Sequence, residues 1–418
     1  MSAAIRHQHY DVVIIGGGMV GLCLAAILEQ KLHQTAARIL LLESSRLQSG
    51  KAQQPGFDAR STVLSYGTIR ILKQFKLWQP LENYACPITR IHVSDQGQFG
   101  QSRIDAESEQ VPALGYVLEN QDIGQGLNAV VLQSSTIESC SPVQVRAIHH
   151  EQDQARLDCE SESGKFSVSA SLVVLAEGGR SGLSESLGIT REHSSYGQSG
   201  IIANIAFSEA HQGRAFERFT RHGPLAVLPL KNFDQQHRGA LIWTQNTETV
   251  EAVMALPDEA FLRRLQHEFG QRLGQFTRVG ERVCYPFSLQ KATEQIRHNL
   301  VLLGNSAHTL HPVAGQGFNL ALRDTLCLAE NISESMKQGD NPGAYARLEG
   351  YLRAVEADQQ STITFSHYLT RLFSSENRLL SHSRQLALLG LDLLPPAKRL
   401  LSMQAMGLGN VAAESGLR

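Results

Sequence analysis

The sequence lacks what would carry it into a bilayer, onto a nucleic acid or through an oxidising compartment. Apart from residues 12–28, no stretch is apolar enough to be considered as a membrane span. Thirty-eight Lys and Arg stand against 40 Asp and Glu, so there is no electrostatic case for a polyanionic partner, and no nucleic acid is expected. Six cysteines, Cys23, Cys86, Cys140, Cys159, Cys284 and Cys327, form no C-x-x-C and join no histidines at zinc spacing. They read as reduced cytoplasmic thiols, and no metal site is expected. Internal repeats and low-complexity tracts are absent too. What remains is a chain of ordinary globular composition, long enough for two or three domains.

The one conspicuous apolar run lies in DVVIIGGGMVGLCLAAILEQ, where seventeen uncharged residues from Val12 to Leu28 include four glycines. It is short and glycine-dense beside the roughly 20 apolar residues a span needs. Asp11 before it and Glu29 after it also fit a secretion signal poorly. Val12–Ile15 instead reads as a buried β-branched strand, and Gly16 to Gly21 then spell G-x-G-x-x-G where a helix begins. In that reading Gly16 allows a tight turn, Gly18 admits a pyrophosphate to the backbone, and Gly21 lets the helix, Leu22 to about Lys31, pack on the strand. The following strand, in ARILLLES, ends at Glu43, about 20 residues on, where an acid binds a ribose hydroxyl in such folds. The segment is therefore expected to bind a dinucleotide.

Two later segments bear on which dinucleotide. In ASLVVLAEGGRSGLSESLGI, a strand Ser171–Ala176 ends at Glu177-Gly178, with Arg180 in the loop. In HNLVLLGNSAHTLHPVAGQGFNLALRDTLCLAENI, a strand Leu300–Leu303 and a turn Gly304-Asn305 precede a Pro- and Gly-rich loop and a helix from about Phe318. Gly315-Gln316-Gly317 at that helix start offers backbone N–H groups and a positive dipole end, which suit the pyrimidine edge of a flavin.

Together the three segments resemble the group A FAD-dependent aromatic monooxygenases, the p-hydroxybenzoate hydroxylase-like flavoproteins. PGFDARSTVLSYGT, GRAFERFTRHGPLAVLPL and GNSAHTLHPVAGQGFNLALRD are similar to the ubiquinone-biosynthesis branch, most of all to the 2-polyprenyl-6-methoxyphenol hydroxylases. The resemblance runs from about Tyr10 to about Leu369. It implies FAD, with Gly16, Gly18, Gly21 and Glu43 at its ADP half and Arg60 along the ribityl and diphosphate. Asn120 is implied as a polar flavin contact, and Gly315, Gln316, Gly317 and Asn319 as lining the isoalloxazine, with Pro312 near its oxygen-reacting face. Glu177, beside Gly178, and Asn305 each stand where the family has Asp. The resemblance further implies reduction of FAD by NADH or NADPH, reaction with O2 to a flavin hydroperoxide, and hydroxylation of a polyprenylated methoxyphenol in ubiquinone biosynthesis.

The fold implied is α/β: a Rossmann-like FAD domain in pieces (1–85, 116–185 and 290–340), with an inserted, mainly antiparallel substrate domain (86–115 and 186–289) and a helical C-terminal region (341–418). Turn signals at Asp95-Gln96-Gly97 and His222-Gly223-Pro224 divide the substrate strands. PDEAFLRRLQHEFGQRL reads as an amphipathic helix with Phe261, Leu265 and Phe269 on one face. Arg214, Arg218 and His222 either stabilise a phenolate or face solvent. His308 and His311, lacking a carboxylate ligand nearby in sequence, read as structural or hydrogen-bonding groups. No catalytic side chain is assigned.

Leu400, Leu401, Met403 and Met406, after Pro395-Pro396 and beside Lys398 and Arg399, are either packing residues or the contact of a peripheral protein with the inner face of the cytoplasmic membrane. A homodimer and a place in a ubiquinone-biosynthesis complex are both compatible with the sequence. Rival readings are a ring hydroxylase of other regiospecificity, one acting on a soluble phenol, and a non-catalytic flavoprotein subunit of such a complex.

Overall fold

A computed structural model describes residues 8–47, 60–96, 101–179, 181–310, 315–374, 399, 402–404 and 406–408. Arg180, His311, Pro312, Pro395, Pro396, Lys398, Leu400 and Leu401 lie outside these described residues, as does Gly97 of the first turn signal.

The β-branched run forms strand His9–Ile15, the centre of a parallel sheet. It pairs with Ile39–Leu42 on one side and Gly164–Leu175 on the other, and these pair in turn with Ile137–Cys140 and Leu300–Leu302, all parallel. Because the chain leaves the central strand in one direction and later returns on its opposite side, a crevice opens at its carboxyl end, where Gly16 sits. Helix Met19–Leu32 crosses back over the sheet and buries Leu22, Leu24, Ile27 and Leu28 against it.

The strand expected at Ser171 starts earlier, at Gly164, because its first half folds into an antiparallel meander with Val143–His150 and Ala155–Ser161. Helix Gln316–Lys337 covers the same core as Met19–Leu32, and helix Tyr345–Ser374 adds Leu348, Tyr351 and Val355 to it.

A second, nine-stranded sheet holds the strands from the inserted segments. Its order runs His308–Thr309, Val283–Ala292, Arg191–Phe207, Gln236–Asn246, Gly223–Phe233, Arg214–Thr220, Arg90–Asp95 and Gln101–Asp105, with Phe276–Val279 beside Arg191–Phe207. It is antiparallel except where Arg214–Thr220 runs parallel to Arg90–Asp95, the strand contributed by the earlier insertion. One face is covered by helix Asp258–Phe269, whose Phe261, Leu265 and Phe269 are all buried, with Phe261 edge-on to Trp243 at 5.2 Å between ring centroids.

The strands shift two of the expected domain limits. Cys86–Ile88 pairs with Gly115–Glu119 in a small sheet that also holds Ser61–Ser65, so it does not join the second sheet. Val283–Ala292 continues past 289, and His308–Thr309 pairs with it, because that long strand carries the chain from one sheet to the other. A buried ion pair, Arg238 with Glu119, ties the second sheet to the small one. Residues 406–408 return to this junction: Met406 accepts a hydrogen bond from Gly67 N–H at 2.9 Å and packs with Ile88, Ile104 and Ala215. Met406 is thus a core residue and not a lipid contact. Among the described residues no helix is long and apolar enough to cross a membrane.

Candidate active site

One cavity of about 1380 Å³ runs from the crevice at Gly16 to the uncovered face of the second sheet. Gly16, Gly18, Glu43, Arg60, Asn120, Glu177, Gly178, Asn305, Gly315 and Gly317 line it on the parallel-sheet side. Ile91, Val93, Ala226, Ile202 and Ile242 line it on the other.

At the glycine end the backbone shapes the site. Gly16 has φ +111, and a Cβ there would lie 2.6 Å from the carbonyl oxygen of Ala176. At Gly21 a Cβ would meet the oxygen of Gly16 at 1.9 Å, so Gly21 serves the helix-to-strand contact and does not reach the cavity. Gly18 is different: a Cβ there meets nothing within 4 Å and would project into open space. Helix Met19–Leu32 has no side-chain cap and no acid in its first turn. Helix Gln316–Lys337 begins in the same way, after a left-handed Gly315. Both helix starts therefore leave N–H donors and positive dipole ends for an anion or an electron-rich ring edge. Two donor-rich helix ends and a glycine cradle on one cavity fit FAD.

Side chains hold these loops in place. Glu43 accepts from Gly17 N–H at 2.6 Å and from Ser45 N–H at 2.7 Å, which fixes its carboxylate at the cavity rim. Asn120 accepts from the Thr62 hydroxyl at 2.6 Å, and its own N–H donates to Arg60 O. Arg60 donates to the Tyr285 hydroxyl at 2.7 Å, across the junction of the two sheets. At the two departures from the family pattern, Ser306 provides the link. Its hydroxyl donates to Glu177 and accepts from the N–H groups of Gly178 and Gly179. Asn305 is exposed on the cavity side, while its backbone oxygen takes Arg191.

Some expected roles change. Asn319 does not reach the cavity: it accepts from Ser65 N–H at 2.9 Å and Thr68 Oγ1 at 2.7 Å, and donates to Val63 O and Gly315 O. It clamps the start of its helix to strand Ser61–Ser65 from below. Gln316 is buried and likewise not at the cavity wall. Arg214, Arg218 and His222 do not line the cavity either. Side chains alternate along a strand. Arg218 points to the covered face, where it donates to Glu268 O at 2.7 Å; Arg214 stacks on Phe216; His222 sits in the turn before Gly223. His308 is bonded to Asp324 at 2.8 Å in the interior, and Asp324 also takes Gln359, so His308 braces the helix packing. Among the described residues no group of three His, Cys, Asp or Glu is placed to hold a metal.

Sequence reasoning overlooked Glu217, which lines the cavity between the two arginines it singled out. The alternation within RAFERFT separates the two sets of side chains, but it does not say which set faces the cavity.

The family model described as FAD binding domain matches residues 9–353. Ubiquinone hydroxylase UbiL of Rhodospirillum rubrum is 32% identical over 397 residues, spanning 95% of this chain and 89% of that one. The mitochondrial ubiquinone biosynthesis monooxygenase COQ6 of Danio rerio is 25% identical, over 95% of this chain and 90% of its own. The crystal structure of p-nitrophenol 4-monooxygenase PnpA from Pseudomonas putida superposes with a TM-score of 0.75, at 17% identity and over 96% and 99% of the two chains, which shows a shared fold. The chain therefore belongs to the FAD binding domain family, as an FAD-dependent aromatic monooxygenase.

Proposed function

We propose that this enzyme hydroxylates the ring of a polyprenylated methoxyphenol in ubiquinone biosynthesis, with NADH or NADPH as reductant and O2 as oxidant. The observation that carries the reading is the single cavity whose one end is a glycine cradle and whose other end is an apolar sheet face. Its volume exceeds the roughly 300–1,000 Å³ of an ordinary ligand pocket, so it has room for a dinucleotide and a second, apolar molecule. The names of the relatives, a ubiquinone hydroxylase and a ubiquinone biosynthesis monooxygenase, support the same substrate class.

In this reading, the N–H groups after Gly18 hold the diphosphate, Glu43 takes a ribose hydroxyl, and Arg60 lies along the linker. The N–H groups at Gly315 to Gly317 support the electron-rich edge of the isoalloxazine. When bound, FAD supplies hydride acceptance and oxygen activation. The apolar sheet face orients the phenol ring and keeps water from it, which strengthens every polar contact made there. A long isoprenoid tail is insoluble, so the substrate is met at the inner face of the cytoplasmic membrane, or handed over within a biosynthetic complex.

The test is turnover by the FAD-loaded protein with NADH or NADPH, isotopically heavy O2 and 2-geranyl-6-methoxyphenol. Nicotinamide oxidation coupled to one labelled oxygen on the ring supports the reading. Coupled label on a soluble phenol, with none on the prenylated one, would move the enzyme out of quinone synthesis.

A further inference from the structure

The cavity-facing row of the second sheet reads, strand by strand in register, Ser102, Val93, Glu217, Ala226, Ile242 and Ile202. A single carboxyl interrupts a nearly apolar wall. Glu217 has no hydrogen-bond or ion-pair partner among the described residues, although carboxyls held inside proteins are normally paired. Nor does any cation among the described residues face it. Arg214 and Arg218 flank it in sequence but belong to the opposite face of the strand. Asp95, beside Phe219 in register, interacts with Arg218. Arg60 is bonded to Tyr285, four strands away in the sheet order, or about 19 Å at ordinary strand spacing. An unpaired acid at this point costs stability, and none of the described residues uses it.

We propose that Glu217 is the group that receives the substrate's phenolic O–H, first as hydrogen-bond acceptor and then as general base. The assignment rests on the phenol reading of the cavity. Burial alone pushes this carboxyl up to about 7, so near neutral pH it is divided between the form that accepts a proton and the form that gives one back. As ring π-electrons form the bond to the oxygen atom delivered from O2, its O–O bond breaks and the second oxygen leaves with that electron pair, to be released as water; the phenolic O–H bond breaks in the same step. Its electron pair becomes the C=O of a ring dienone, and the proton passes to Glu217. Loss of the ring C–H proton to water restores aromaticity, and the former phenol oxygen regains its proton from Glu217. Because the row around Glu217 is apolar apart from Ser102 at its edge, the phenol hydroxyl has one carboxyl acceptor in it, and that fixes which ring carbon faces the flavin end.

The experiment uses the FAD-loaded full chain, with Glu217→Gln as the isosteric variant and Glu217→Asp as the conservative one. Retained FAD absorbance and cooperative thermal unfolding establish folding for each. Equilibrium binding of 2-geranyl-6-methoxyphenol and of its O-methyl ether is measured across pH, followed by turnover. Wild type is expected to prefer the phenol by about tenfold to a hundredfold, the range for a hydrogen bond to a charged group. Gln is expected to erase that preference above pH 7, to lower kcat by about a hundredfold or more, and to abolish the acid limb of kcat/KM near pH 7. Asp is expected to restore part of each. Unchanged preference, kcat and pH profile in the Gln variant, with wild type still hydroxylating the phenol, would overturn the assignment while leaving the substrate reading intact. If wild type binds neither probe, the phenol reading falls and the assignment with it.

Discussion

The two ends of the cavity are built by different means. At the Gly16 end, main-chain geometry sets the shape: Gly16 and Gly21 leave room only for hydrogen where backbone oxygens approach, and Gly18 leaves space open. At the sheet end, side chains set it, and the wall residues come from several strands held in register across gaps of up to a hundred residues or more, such as Ile202 beside Ile242 and Val93 beside Glu217. Backbone-built sites tolerate almost no substitution, whereas side-chain-built ones can be re-cut for other rings. That contrast fits a family in which one cofactor serves many substrates.

The contrast breaks most sharply at Gly21. Gly21→Ala places a carbon 1.9 Å from the oxygen of Gly16, so backbone must move. The expected outcome is loss of soluble, cooperatively unfolding protein, checked by thermal unfolding. Gly18→Leu, by contrast, is expected to leave unfolding of the FAD-free protein nearly unchanged while lowering FAD affinity about tenfold or more, read by flavin fluorescence titration. If both variants behave alike, the division of labour between these glycines is wrong.

Next in size is the tie between the second sheet and the small one. Arg238 and Glu119 are each nine-tenths buried or more, so Glu119→Ala removes the carboxylate from a buried guanidinium and is expected to cost about 3–5 kcal/mol in chemical denaturation. Pairing Glu119→Gln with Arg238→Met should return much of that loss, because no charge is then left buried.

A smaller effect is expected at Glu217. A carboxyl held near 7 when folded and near its ordinary value when unfolded contributes fully below about pH 4.5, and its contribution is lost as pH rises through 7. Gln stays neutral throughout. Glu217→Gln should therefore match wild type at pH 4 and exceed it by about 1–3 °C in Tm at pH 8. A gap that is equal at both pH values would mean the carboxyl is not held up by burial.

The smallest effect is expected at Asn305. Its side chain is exposed on the cavity side, so Asn305→Asp should shift Tm by less than about 1 °C. FAD affinity checks whether the added charge matters.

Most of what the sequence disclosed belongs to the Gly16 end. There the turn, the helix start and the acid at Glu43 lie within one short βαβ stretch, and local spacing is enough to read them. Phe261, Leu265 and Phe269 were legible for a similar reason, since helical periodicity marks a face whatever covers it. The sheet end was not legible. In RAFERFT, both alternating sets contain a charge and an aromatic ring or small residue, and only the position of helix Asp258–Phe269 decides which set is covered. Asn319 was misplaced because a polar residue one turn into a helix can face a ligand or clamp its own N-terminus. Three of its four bonds, to Ser65, Thr68 and Val63, depend on a strand and the helix after it, over 250 residues away.

The central claim, that flavin and phenol share this one cavity from opposite ends, is tested most directly by filling the sheet end alone. Ile242→Trp adds bulk to the apolar wall and leaves every glycine in place. In the FAD-loaded wild type, 2-geranyl-6-methoxyphenol should perturb the flavin absorption spectrum saturably. In the variant, FAD content should be unchanged, with the perturbation lost or its half-saturation raised about tenfold or more. An identical spectral titration in the two proteins would place the phenol elsewhere and contradict the account.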